Sequence, residues 1–97
     1  MTYKLTFEKR ALKEWEKLGH PVREQFKKKL AERLENPRVA SAQLSGSKDR
    51  YKIKLRGVGY RLVYEVWDEQ VIIVVIAVGK RDGNEVYSAA DKRATKQ

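Results

Sequence analysis

Six consecutive residues, Tyr51-Lys52-Ile53-Lys54-Leu55-Arg56, alternate large apolar side chains with cations. In an extended strand successive side chains point to opposite faces. Tyr51, Ile53 and Leu55 therefore turn to one side, and Lys52, Lys54 and Arg56 form a cationic strip about 13 Å long on the other. The next strand segment, Tyr60 to Trp67, follows the turn signal Gly57-Val58-Gly59. A four-residue loop pairs Leu55 with Tyr60 and sets Arg61 opposite Lys54. Like charges facing each other across a ladder repel, so the arrangement makes most sense with a phosphate between them. Lys80 and Arg81 follow a third strand segment, and Tyr87 lies in an Ala-containing stretch, Asn84 to Ala94, that reads as a short helix capped by Asn84. If that helix folds over the open face of the sheet, one site gathers Lys52, Lys54, Arg61, Arg81 and Tyr87. Such a site offers cations and a phenol, with no carboxylate pair and no histidine.

The composition narrows the chemistry further. The chain has no cysteine, which removes disulfides, Cys-based zinc sites, iron–sulfur clusters and thiol nucleophiles, and fits a reducing compartment. Asp82 and Glu85 flank the basic turn without a third acidic ligand. No metal site and no cofactor is expected, and metal-dependent nuclease chemistry is disfavoured. The single histidine, His20, sits in the connection between two helical segments and reads as structural. Twenty-two Lys and Arg against thirteen Asp and Glu leave a net charge of +9 over 97 residues. That field favours a polyanion such as RNA or DNA, an acidic protein or an anionic membrane surface, and charge alone does not choose among them. The longest apolar run, Val71 to Val78, falls far short of the ~20 residues that cross a bilayer. The first residues lack the basic stretch and apolar core of a secretory signal. A soluble chain forming one domain over residues 1–97 is expected.

These residues must be held by elements that the spacing also marks. Tyr3 to Phe7 alternate as a short strand. From Glu8 the period changes, and Ala11, Leu12, Trp15 and Leu18 line one face of a helix that Gly19 and His20-Pro21 end. Pro21 opens a second helix with the apolar stripe Val22, Phe26, Leu30 and Leu34, which Asn36-Pro37 closes. Arg38 to Arg50 read as a loop. Tyr51–Arg56, Tyr60–Trp67 and Gln70–Val78 then form an antiparallel meander. The last of these is apolar throughout, as for a central strand covered on both faces, and the two before it alternate, as for strands with one open face. Tyr60, Leu62, Tyr64 and Val66 face the helices, and a two-residue turn at Asp68-Glu69 pairs Arg61 with Ile76. The whole is α+β in the order β-α-α-β-β-β-α: a small antiparallel sheet with a helical hairpin on one face and a short C-terminal helix.

Taken in order, ALKEW at 11–15, VREQ with KKKL at 22–30, YKIKLR at 51–56, GYRLVY at 59–64, VGKR at 78–81 and EVYS at 85–88 closely resemble the RelE family of ribosome-dependent, mRNA-cleaving toxins of bacterial toxin–antitoxin pairs. The resemblance covers nearly the whole chain. It implies cleavage of mRNA in the A site of the 70S ribosome, against 16S rRNA, by attack of a ribose 2′-hydroxyl on the adjacent phosphate to give a 2′,3′-cyclic phosphate. Carried over, it makes Tyr87 the general base, Arg81 the acid or leaving-group partner, and Lys52, Lys54 and Arg61 the phosphate clamp. It also implies a RelB-like antitoxin, operator DNA reached indirectly through that antitoxin, no membrane partner and a cytoplasmic location. Ser45 stands where the family pattern has a basic residue, which puts one ribosomal RNA contact in doubt, and the turn Asp82-Gly83-Asn84 is less charged than that pattern. Tyrosine and lysine ordinarily titrate near pH 10 and are weak acid–base catalysts at neutral pH. Charge stabilisation and imposed in-line geometry must therefore lower much of the barrier.

Two other readings stand beside this one. A non-catalytic toxin on the same scaffold, like the ParE group, would poison gyrase by protein contact and would not need the set Lys52, Lys54, Arg61, Arg81 and Tyr87. A plain nucleic-acid-binding module would carry aromatic residues among the cations, and by parity only Trp67 lies on that face. Since His20 is assigned no chemical role, His20→Ala should leave RNA cleavage unchanged in a primer-extension assay; a fall in rate would mean that the chemistry lies elsewhere.

Overall fold

The change of period at Glu8 is realised at that residue. In the computed structural model, which describes residues 2–44, 46, 49–80 and 85–93, strand β1 (Lys4–Phe7) gives way to helix α1 (Lys9–Glu16). The Glu8 carboxylate accepts from the amides of Arg10 (2.8 Å) and Ala11 (3.0 Å), satisfying two donors that the first turn leaves without partners. Gly19 and Pro21 open helix α2 (His20–Glu35), and Asn36 ends it. A 3-10 turn (Ala40–Ala42) leads to β2 (Arg50–Leu55), β3 (Tyr60–Trp67), β4 (Ile72–Lys80) and helix α3 (Glu85–Lys92).

The four strands form one sheet in the order β1-β4-β3-β2. The meander β2-β3-β4 is antiparallel as expected, but β1 joins the edge of β4 in parallel, so the sheet is mixed. The helical hairpin lies between β1 and β2 in the chain and carries it across the sheet, which brings both edge strands into the same direction. Ala11, Trp15, Leu18, Phe26 and Leu30 from the hairpin pack on Ile53, Leu62, Tyr64, Val66, Ile73, Val75 and Val78. Helix α3 covers the other face, where Val86 and Ala90 pack on Val63, Ile76 and Ala77.

Several expectations change in detail. Leu12, placed on the apolar face of α1, is 41% exposed, because Ala11, Trp15 and Leu18 already fill that face. Arg50 opens β2 instead of closing a loop. Strand β4 is shifted from Gln70–Val78 to Ile72–Lys80, and Arg61 pairs with Gly79, not Ile76. The reversal between β3 and β4 takes four residues, Asp68 to Val71, and Val71 adopts a left-handed φ of 56°. For a β-branched residue that costs about 1–2 kcal/mol. The Val71 carbonyl then accepts the Lys4 amide at 3.0 Å, where β1 starts. A bulge between Val63 and Tyr64 shifts the register by one more residue. The second face of β3 is also less open than expected, since Val63 and Glu65 are buried. The Asn84 cap expected for α3 lies outside the described residues.

Beyond Phe7, β4 has no strand on its outer edge among the described residues, and side chains take over the pairing. Glu14 Oε1 accepts the Val78 amide at 3.1 Å, and Arg93 donates to the Ile76 carbonyl at 2.8 Å and to Glu14 Oε1 at 2.9 Å. The Val78 amide and the Ile76 carbonyl on this edge are thereby satisfied.

For Glu8, burial alone would push the carboxyl up, but the Ala11 and Arg10 amides and the Arg10 guanidinium outweigh it and hold it below its ordinary value of 4.5. The native state thus binds this proton more weakly than the unfolded chain. Its contribution is present above pH 4.5 and disappears as the pH falls through the lowered native value. Glu8→Ala should cost about 1 kcal/mol in thermal melts at neutral pH, and the difference from the parent chain should shrink steadily in melts taken towards about pH 3.

Candidate active site

The alternation in β2 does what its parity requires. Tyr51, Ile53 and Leu55 are buried against the hairpin, Lys54 is exposed and Lys52 is half-buried on the opposite face. Antiparallel pairing sets Lys54 directly opposite Arg61 and Lys52 opposite Val63, so two cations meet across the ladder as expected. Arg56 lies in the turn beyond the strand, where Gly59 takes a left-handed φ of 71°. The end of this hairpin shapes a groove of about 300 Å³ lined by Lys54, Leu55, Arg56, Gly59, Tyr60 and Arg61.

Helix α3 brings Tyr87 against Arg61. The Arg61 guanidinium carbon stands 5.3 Å from the centroid of the Tyr87 ring, within cation–π range. The Tyr87 hydroxyl is buried and has no hydrogen-bond partner among the described residues. A buried polar atom without a partner is unfavourable by about 1–3 kcal/mol, and such orphans recur where a catalytic role or an absent ligand explains them. A close approach of α3 to β4 permits this placement: a Cβ on Gly79, which pairs with Arg61, would lie 3.2 Å from Val86 Cγ2.

Of the residues singled out from the sequence, Lys54, Arg61 and Tyr87 are thus brought together, and Lys52 follows Lys54 one pleat repeat along the same face. Arg81 lies outside the described residues, as do Ser45 and Asp82. Tyr51 and Tyr64 are core residues, stacked at 5.7 Å, and the Tyr64 hydroxyl donates to the Pro37 carbonyl at 2.7 Å. Burial raises the Tyr64 phenol above its ordinary range, against the lowering effect of Arg33. His20 is the exposed first residue of α2. The described residues contain no group of three His, Cys, Asp or Glu side chains that could hold a metal ion, and no described helix is long and apolar enough to cross a membrane.

Sequence reasoning missed the supports of the site. Arg33 Nη1 donates to the Lys52 carbonyl at 3.2 Å and to the Tyr64 hydroxyl at 2.9 Å, fixing β2 to α2. Arg50 and Glu65 form an ion pair of 3.0 Å under α3, and Arg93 pairs with Glu14. Parity could have placed Arg50 on the face of Lys52 and Lys54, two residues before Lys52; its partners across the sheet carry no local signal.

A family model described as the ParE toxin of the parDE type II toxin–antitoxin system matches residues 5–85. The mRNA interferase toxin RelE of Escherichia coli is 62% identical over 93 residues, covering 96% of this chain and 98% of that protein. The chain belongs to the RelE/ParE toxin family. Solved structures of RelE/ParE proteins share its architecture. A doubly substituted E. coli RelE in the free state superposes with a TM-score of 0.90 at 60% identity, covering 98% of this chain and all of that one (100%). The toxin of the intact E. coli RelBE toxin–antitoxin complex superposes with a TM-score of 0.79 at 61% identity, covering 82% and 98% of the two chains. The shared α+β fold has the four-stranded mixed sheet and C-terminal helix described above.

Within this RelE/ParE chain the cationic strip can be tested as an anion site. Removing one cation from a phosphate lowers the salt dependence of RNA association by about 0.7–0.9 in log–log slope. Lys52→Ala with Lys54→Ala should therefore flatten the slope for binding to ribosomes by about one to two; an unchanged slope would remove both lysines from the phosphate clamp.

Proposed function

We propose that this chain is the toxin of a type II toxin–antitoxin pair and that it acts as an endoribonuclease on mRNA in the ribosomal A site. The observation that carries this reading is Arg61, with a facing lysine across the ladder and against its flank a tyrosine whose buried hydroxyl has no partner among the described residues. Lys52, Lys54 and Arg61 hold the scissile phosphate and offset the charge that accumulates on it. The ribose 2′-oxygen attacks phosphorus while the bond to the 5′-oxygen breaks, leaving a 2′,3′-cyclic phosphate and a 5′-hydroxyl. Tyr87 takes the 2′-hydroxyl proton as general base, and Arg81 offsets the charge on the departing 5′-oxygen, which takes its proton from water. Nothing in this set bends RNA into the in-line geometry the attack requires. The ribosome supplies it, with 16S rRNA contacts to the basic surface of the toxin.

The high identity to an mRNA interferase supports the reaction, and the toxin–antitoxin complex of a relative supports a RelB-like antitoxin as partner. A net charge of +9 suits an acidic segment wrapped on this domain when the toxin is silent. Operator DNA is reached through the antitoxin, and ribosomes as substrate carriers place the protein in the cytoplasm. The ParE-like alternative, poisoning of gyrase by protein contact, leaves unexplained a buried Tyr87 hydroxyl without a partner among the described residues.

Purified protein added to 70S ribosomes stalled on a defined mRNA with an empty A site should cut that mRNA, read by primer extension, and should leave the same mRNA intact when it is free. Tyr87→Phe or Arg81→Ala should lower the rate by about 10²-fold or more while ribosome association is retained. A folded protein that cuts in neither setting would be a non-catalytic toxin, and a fall in binding in step with cleavage would make both residues anchors.

A further inference from the structure

The far end of the cationic strip is Arg50, and its guanidinium faces inward. The side chain is 14% exposed and that of its partner Glu65 is 6% exposed. Nε of Arg50 donates to Glu65 Oε2 at 3.0 Å, and Nη1 donates to the Ala90 carbonyl at 3.0 Å and to Asp91 Oδ1 at 3.4 Å. The other Glu65 oxygen accepts Trp67 Nε1 at 2.6 Å. Ala90 belongs to the last turn of α3, where its carbonyl also accepts the Arg93 amide at 3.1 Å, and a cation is favoured at that end of the helix dipole.

Helix α3 has eight residues, too few to be stable without tertiary support, so its docking decides where it sits. Apolar packing through Val86 and Ala90 holds it to the sheet but is non-directional. Arg50 adds direction. It stands on β2, the strand that also carries Lys52 and Lys54, and grips α3 one turn beyond Tyr87. One rigid strand thus sets the distance between the phosphate strip and the helix that delivers the phenol. A buried ion pair contributes little net stability once desolvation is counted, which leaves orientation as the explanation for this one.

We propose that Arg50, held by Glu65, is a positioning residue for Tyr87. This rests on the endonuclease reading of the Lys52, Lys54, Arg61 and Tyr87 site.

The test replaces the pair by Arg50→Met with Glu65→Met, which leaves no unpaired buried charge and should keep the fold. Arg50→Lys is the second variant, because an ammonium retains the charge beside Glu65 but lacks the planar fork that reaches both Glu65 and Ala90. Cleavage on programmed 70S ribosomes should slow about ten-fold or more in single turnover, while the protein concentration giving half-maximal cleavage stays within about two-fold, since the phosphate clamp is untouched. In the isolated protein, the ¹³C-labelled Tyr87 ring signals should move away from their parent positions in both variants. A folded variant that cleaves at the parent rate, or whose Tyr87 signals stay in place, overturns the assignment. A parent protein that fails to cleave overturns the endonuclease reading instead, and the Tyr87 signals then decide the Arg50 assignment alone.

Discussion

Strand β4 must be kept dry on both faces, and the rest of the molecule follows from that. Its Ile73, Val75 and Val78 need the helical hairpin, and its Ile76 and Ala77 need something on the opposite side. Removing that apolar area from water is the dominant driving force available to a chain of this size. Helix α3 answers the second need. It is short and would be marginal alone, so it is where it is because the exposed half of β4 and the middle of β3 require a cover. Tyr87 arrives with that cover.

The outer face of the sheet is thereby divided. Under α3 it is apolar at Val63, Ile76 and Ala77, with the Arg50–Glu65 ion pair beside them, and along β2 it is cationic, with the boundary running beside Arg61. Charges at the margin of a low-dielectric patch act on one another, and on an anion placed between them, more strongly than they would in open water. Repulsion between Lys54 and Arg61 in the free protein opposes folding and is offset by the core on the far side of the same strands. The Lys54–Arg61 pairing and the Arg61–Tyr87 contact are thus held by the fold itself.

Much of this arrangement could be read from local pattern. Strict alternation over Tyr51 to Leu55 and a four-residue turn specified the Lys54–Arg61 pairing, and the stops at Gly19 and Asn36 marked the hairpin. Where the reading failed, the deciding interactions were distant in sequence. The left-handed Val71 is held by a bond to Lys4 across the sheet, so the turn at Asp68 is longer than its residues suggest and Ile76 is not the partner of Arg61. Leu12 satisfies the helical period but faces solvent, because periodicity identifies a stripe and not its width. The parallel docking of β1 depends on a crossover that no short window contains. Glu65 alternates with the core-facing Tyr64 and Val66, yet it too is buried, beneath α3 with Arg50.

The bulge in β4 shows how such a strand encodes a site by counting. Ile76 is the additional residue, since Val63 pairs with Ala77 and Tyr64 with Val75. In a regular ladder continued from Tyr64, Val78 would face Arg61, and its isopropyl group would stand where Val86 now approaches Gly79. The single surplus residue moves glycine into that place and leaves room for the helix above. What matters at this point is the length of the strand more than the chemistry of any side chain in it. Scanning by substitution alters chemistry at constant length, so an alphabet of replacements cannot sample this determinant; insertions and deletions can.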